Sequence, residues 1–234
     1  MADRFDQALA LVNDAEKRLA EVQRVYEESL HAQTVSVELQ IRMKGVLEGL
    51  RSALDYCARE LRSRYVSGGG SGNVYFPIAP RGFAEDFKSF VEKRKIPGLP
   101  KVRPDLVSVL ESYQEFASPT NEWLPDLASL CNENKHEQLT PQKREESERI
   151  RVEFQCGCVS WKPECTRFGS DVRIGAVPVD PSTQLPTPSD AQTVTREVWV
   201  SFEFTTVGRP VIPFLATCVD GVKAIVNDLR VKAK

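Results

Sequence analysis

No proline occurs in the first 76 residues; all fifteen lie at or beyond Pro77. A proline inside a helix costs about 3 kcal/mol, so this absence marks the first third of the chain as ground where helices can run unbroken. An excess charge of either sign is also missing. Lys and Arg number 31 against 33 Asp and Glu, for a net charge of −2, which excludes a chain-wide surface for nucleic acid or anionic membrane. Residues 1–80 alone, with 10 basic and 11 acidic side chains, show no hidden basic half. Long apolar runs are absent too. Stretches such as Ala8–Val12 are far too short to span a bilayer, so no membrane association is expected. The start, Met1 to Asp6, is charged and lacks the apolar core of a secretory signal, which points to a cytoplasmic protein. Six cysteines in 234 residues are too dilute for a disulfide framework.

What is present is a change of period. Phe5, Leu9, Val12, Leu19, Val22 and Tyr26 recur at helical spacing, and Met43, Leu47, Leu50, Leu54, Cys57 and Leu61 do so in a nearly heptad stripe. The stripe weakens around residues 31–40. Residues 3–65 therefore form either one very long helix or two that meet there. A stripe of this length needs a bundle or a partner chain to cover it, so a homo-oligomer or a partner protein bound through the N-terminal helix is expected. The run Ser67-Gly-Gly-Gly-Ser-Gly-Asn73 ends the helix, and Val74–Ile78 reads as extended. Phe83 to Val91 suggest a short helix. Pro104 suits the first turn of another, and a last helix is expected from about Glu122 to Leu139. The charged segment 142–149 reads as a solvated junction. Beyond it the period falls to two: Val194, Val198, Val200, Phe202 and Phe204 alternate with polar residues as in a half-buried strand. Leu215 to Leu229 form a final amphipathic helix. The expected class is α+β: a helical bundle over 1–140, then an antiparallel sheet over 150–234 covered by the C-terminal helix.

Three places carry chemistry-bearing residues. Cys156, Cys158 and Cys165 could hold zinc only with a fourth ligand such as His136 or Cys218. The alternation Val152, Phe154, Cys156, Cys158 instead puts the thiols on one strand face as small core residues, so no metal and no cofactor is expected. On the second helical stripe, Arg51 and Asp55 sit four residues apart, at about 60° and 100° from Leu54, on the shoulder of the apolar face. There they should pair. In Asn132-Glu-Asn-Lys-His136, Lys135 projects at about 20° from Leu124, within that helix's apolar stripe. A lysine facing a core must pair or lose its charge. Asp55 is the carboxylate best placed to meet it, giving a polar cluster of Asp55, Lys135 and Asn132. If the helix stops near Asn132, Lys135 enters solvent instead.

In order along the chain, Leu50-Arg-Ser-Ala-Leu-Asp-Tyr56, Tyr75-Phe-Pro-Ile78, Ile96-Pro-Gly-Leu99 and Asn132-Glu-Asn-Lys-His136 resemble a widespread set of bacterial proteins. Those read Leu-Arg-Ser-Ala-Leu-Asp-His, Phe-Pro-Ile, Ile-x-Gly-Leu and Asn-x-Asp-Lys-His. The helix-borne arginine followed by histidine of that set is also similar to the HEPN superfamily. Many members of that superfamily are dimeric, metal-independent ribonucleases of toxin–antitoxin and antiviral defence systems. The resemblance implies catalytic roles for Arg51, Tyr56 and His136, with Arg51 binding phosphate. Tyr56 stands where the family pattern has histidine, and a phenol with a pKa near 10 is a poor base at neutral pH. Three readings follow: an oligomeric interaction or regulatory module of a defence system, a HEPN-like ribonuclease or RNA-binding protein using Arg51, or a small-molecule binder or hydrolase at the His136 cluster.

Overall fold

The computed structural model describes residues 3–29, 35–66, 74–136, 138–155, 157–163, 165–190 and 192–234. It is α+β, with a long helix pair, a curled antiparallel sheet and a C-terminal helix. The chain divides into two compact units. One comprises residues 1–143 and 202–234, the other residues 144–201.

In the first unit, α1 (Arg4–Ser29) and α2 (Val37–Tyr65) are separate helices packed side by side. The glycine-rich run 67–73 lies outside the described residues. Ser36 starts α2, its hydroxyl accepting the Leu39 N–H at 3.2 Å and so satisfying one of the free amides of the first turn. The stripes face each other: Phe5, Val12 and Val22 of α1 and Leu47, Leu50, Leu54, Cys57 and Leu61 of α2 are fully buried. Each such aliphatic or aromatic side chain contributes about 1.5–3 kcal/mol of transfer free energy. Three short helices follow, α3 (Phe87–Arg94), α4 (Leu99–Val102) and α5 (Pro104–Ser112), and then α6 (Trp123–His136). Helix α4 begins after Gly98, whose φ of +89° suits a residue without a β-carbon.

The last helix, α7 (Val211–Lys232), corrects the expected domain boundary. It belongs to the first unit and packs on α1, α2, α5 and α6. The reason is the length of its apolar stripe: nine residues from Val211 to Leu229 are buried, more than a short sheet could cover. Together α2 and α7 supply much of what the α1 stripe needs, so the stripe is buried within this chain. Gly221 of α7 sits where the Trp123 indole of α6 passes; a β-carbon there would clash with the ring.

Strands β1 (Gln142–Phe154), β2 (Gly157–Trp161), β3 (Arg173–Ile174), β4 (Val177–Asp180), β5 (Leu185–Pro186), β6 (Gln192–Phe204) and β7 (Arg209–Pro210) form two sheets, ordered β2-β1-β6-β7 and β3-β4-β5. Residues 142–149, expected as a solvated junction, are the first half of β1. Strand pairing satisfies their backbone, while Lys143 reaches Glu203 at 3.7 Å. In the second unit, β1 and β2 form a hairpin with Glu153 opposite Cys158. Its core is small: Ile150, Val152, Trp161, Ile174 and Val179. The expectation of buried thiols fails at Cys158, which is exposed because the chain reverses after Phe154 and the alternation restarts. Cys156 lies outside the described residues. The apolar face of β6 is likewise buried only at its end in the first unit. Phe202 and Phe204 are fully buried, while Val194 and Val198 are exposed. Tyr26 holds that end, its hydroxyl accepting the Phe202 N–H at 2.8 Å. Among the described residues no helix is long and apolar enough to cross a membrane.

Candidate functional site

Asp55 organises the site. One turn beyond Arg51 on α2, it accepts the backbone N–H of Phe76 on Oδ1 at 2.8 Å, and Arg51 Nη2 lies 3.4 Å from the same oxygen. Both side chains are about five-sixths buried, at 15% and 17% exposure. The carboxylate thereby pins the extended segment 74–80 across α2. Gln114, almost fully buried, pins it a second time: its Oε1 accepts the Ala79 N–H at 2.9 Å and its Nε2 donates to the Pro77 carbonyl at 3.1 Å.

This segment, α2, the end of α3 and α6 enclose a cavity of about 350 Å³. Arg51 and Asp55 line it from α2, Tyr75 from the extended segment, and Asn132 and Lys135 from α6. Lys95, the residue that closes α3, is the sixth polar member. Its ammonium lies over the Phe90 ring, 5.3 Å from the centroid, an arrangement that attracts a cation to the ring face. Burial lowers the Lys95 pKa from the ordinary lysine value, and Arg51 lowers it further, partly offset by Asp55. Three cations thus face one carboxylate. Cys131 also borders the cavity, but burial pushes its thiol up to about 12 and Sγ donates to the Leu47 carbonyl at 3.5 Å. It is a packed thiol and not a nucleophile.

The residues singled out from the sequence therefore divide. Arg51, Asp55, Asn132 and Lys135 come together at one cavity. Lys135, however, is exposed on its rim and forms no ion pair with Asp55; the inward position of the last α6 turn is taken by Asn134. Lys135 keeps the angular position read from the stripe, but at that level α6 meets a cavity and not a packed neighbour. Tyr56 packs against the main core and does not line the cavity. His136 ends α6, and its side chain lies outside the described residues. Lys95 and Tyr75 escaped sequence reasoning. Lys95 does stand next to the Ile96-Pro-Gly-Leu99 run, yet only the fold carries that turn to α2.

A second charged cluster went unread. Asp126 of α6, 2% exposed, takes Arg81 on Oδ1 (Nη2 at 2.5 Å) and Arg209 on Oδ2 (Nε at 3.3 Å). Arg81 also reaches Glu115 at 3.0 Å, and Arg209 pairs with Glu122. Two guanidinium groups meet three carboxylates, so this network is neutralised from within. It borders a larger cavity, about 750 Å³, formed by the end of the extended segment, α6 and the turn between β6 and β7. No alternation or periodicity marks Asp126, because α6 is buried on nearly every side from Trp123 to Leu127. Among the described residues no group of three His, Cys, Asp or Glu side chains is placed to hold a metal ion.

Comparison with protein-family models, with curated proteins and with solved structures finds no match for this chain.

Proposed function

We propose that this chain is a helical-bundle regulatory module that binds a small anionic ligand, with a phosphate or carboxylate group held by Arg51, Lys95 and Lys135. The observation that carries the reading is the cation surplus around a part-open cavity. Asp55 is already engaged by Phe76 and Arg51, leaving Lys95 and Lys135 without a carboxylate partner in the cavity. Holding Arg51 and Lys95 together in a largely buried wall is unfavourable unless an anion joins them, and Lys135 adds its charge from the exposed rim. The site is preorganised, since Asp55 and Gln114 hold the wall and the Phe90 ring holds Lys95. Arg51 presents a planar fork suited to bidentate contact with an oxyanion, and the two lysines add charge without strict geometry.

The chemistry is one of binding. Tyr56 is not at the cavity and the Cys131 thiol is protonated, so neither supplies a base or nucleophile there. A proton-transfer role for His136, and with it the ribonuclease reading, is tested by incubating the protein with single-stranded RNA beside Arg51→Ala and His136→Ala. The binding reading is tested by titration calorimetry with inorganic phosphate. Wild-type protein is expected to bind one phosphate per chain, with weaker binding at higher salt. Arg51→Ala, and Lys135→Ala at an exposed position that cannot disturb the core, should each weaken it. No saturable binding, or equal binding by both variants, overturns the reading; RNA cleavage that depends on Arg51 and His136 replaces it.

A further inference from the structure

The cation-lined cavity does not end at its own walls. Ile78, Ala128 and Asn132 line it and also line the larger cavity beside it. Ala128 and Asn132 stand one turn apart on α6 and Ile78 lies on the extended segment opposite, so these three form a saddle between two adjoining chambers. The chambers differ in what they can accept. The smaller, about 350 Å³, has surplus positive charge. The larger, about 750 Å³, has Arg81 and Arg209 on its wall, but Asp126, Glu115 and Glu122 already take them up. Its other walls include Ala79, Pro80, Pro125 and Val207.

From this division we infer that the ligand is an elongated small molecule with an anionic head and a partly apolar body that carries no second anionic group. The head lies among Arg51, Lys95 and Lys135; the body crosses the saddle past Asn132 into the larger chamber. This rests on the anion-binding reading of the smaller chamber and adds the class of molecule attached to the anion. The volumes agree, since both chambers fall within the range of pockets that take drug-sized ligands, and an inorganic anion fills only part of the smaller one. A second anionic group on the body would meet a network whose two guanidinium groups are already outnumbered by three carboxylates. Asn132, exposed at the saddle and carrying both a donor and an acceptor, is the specificity-determining side chain for whatever polar group links head to body.

The test is a homologous series. Methyl, butyl and hexyl phosphate, and the matching alkyl carboxylates, are titrated into wild-type protein beside inorganic phosphate. Affinity is expected to rise with chain length, by up to about fourfold for each methylene buried. The phosphate and carboxylate arms show which head the cations prefer. Ser129→Tyr, an exposed position lining only the larger chamber, should abolish the gain from chain length and leave inorganic phosphate binding unchanged. If inorganic phosphate and the short esters fail to bind at all, the anion-binding reading itself is lost. If phosphate binds but the longer esters gain nothing, or gain equally in the Ser129 variant, the two-chamber inference is overturned and the anion site stands.

Discussion

The two charged clusters of the helical unit are built from the same kinds of side chain and do opposite things. Around Asp126 two arginines meet three carboxylates, and both oxygens of the buried aspartate are engaged. Around Asp55 the ratio is reversed: one carboxylate, occupied by a backbone amide and by Arg51, faces three cations. The first cluster ties α6 to the Arg81 turn and to β7, and its charges are spent on the fold. The second leaves charge over around a part-open cavity. Counting carboxylate oxygens against cationic donors, cluster by cluster, separates a structural network from a binding site where the mere presence of arginine does not.

The contrast can be broken most severely at Asp126. Asp126→Ala strands two guanidinium groups against a buried gap and should lower stability by about 2–3 kcal/mol, below the full cost of a buried pair because Arg81 and Arg209 are themselves 51% and 37% exposed. Urea denaturation measures it, and anion affinity in the folded variant should hardly change. Arg51→Ala should act mainly on binding, costing about tenfold or more in phosphate affinity with a stability loss of about 1–2 kcal/mol, held down because the largely buried Asp55 keeps its bond to Phe76. Asp55→Asn sharpens the comparison from the other side. The amide oxygen can still accept the Phe76 N–H while the negative charge is gone, so anion affinity should rise by up to about fivefold. The smallest effect concerns pH. The lowered pKa of Lys95 means its ammonium is lost earlier than an ordinary lysine's as pH rises. Affinity for sulfate, whose charge is constant in this range, should therefore start to fall below the ordinary lysine pKa. In Lys95→Gln that portion of the fall should be absent.

Much of this unit was legible in the sequence, and the reason is periodicity. Met43, Leu47, Leu50, Leu54, Cys57 and Leu61, read as one stripe, are all buried, and Arg51 and Asp55, read on the shoulder of that stripe, are mostly buried and paired. A helix keeps its angular order along its length, so a carboxylate one turn from an arginine can be found without coordinates. Lys95 could not be, because it sits where α3 has ended and only the path through Gly98 and α4 brings it to α2. The strands were harder to read. Alternation gives parity but not where a hairpin reverses, so Cys158 was assigned to the wrong face. Nor does it say how far along a strand the cover extends, so Val194 and Val198 were placed in a core that stops at Phe202. Helix α7 was assigned to the sheet by its position in the chain, when the length of its apolar stripe already asked for helices.

The most direct test is the location of a heavy anion. Crystals grown with tungstate, a tetrahedral oxyanion with strong anomalous scattering, should show one site among Arg51, Lys95 and Lys135, with none at the Asp126 network. Tungstate seated instead against Arg81 and Arg209, with the smaller chamber vacant, would contradict the account, because it would place the free positive charge in the cluster held here to be neutralised.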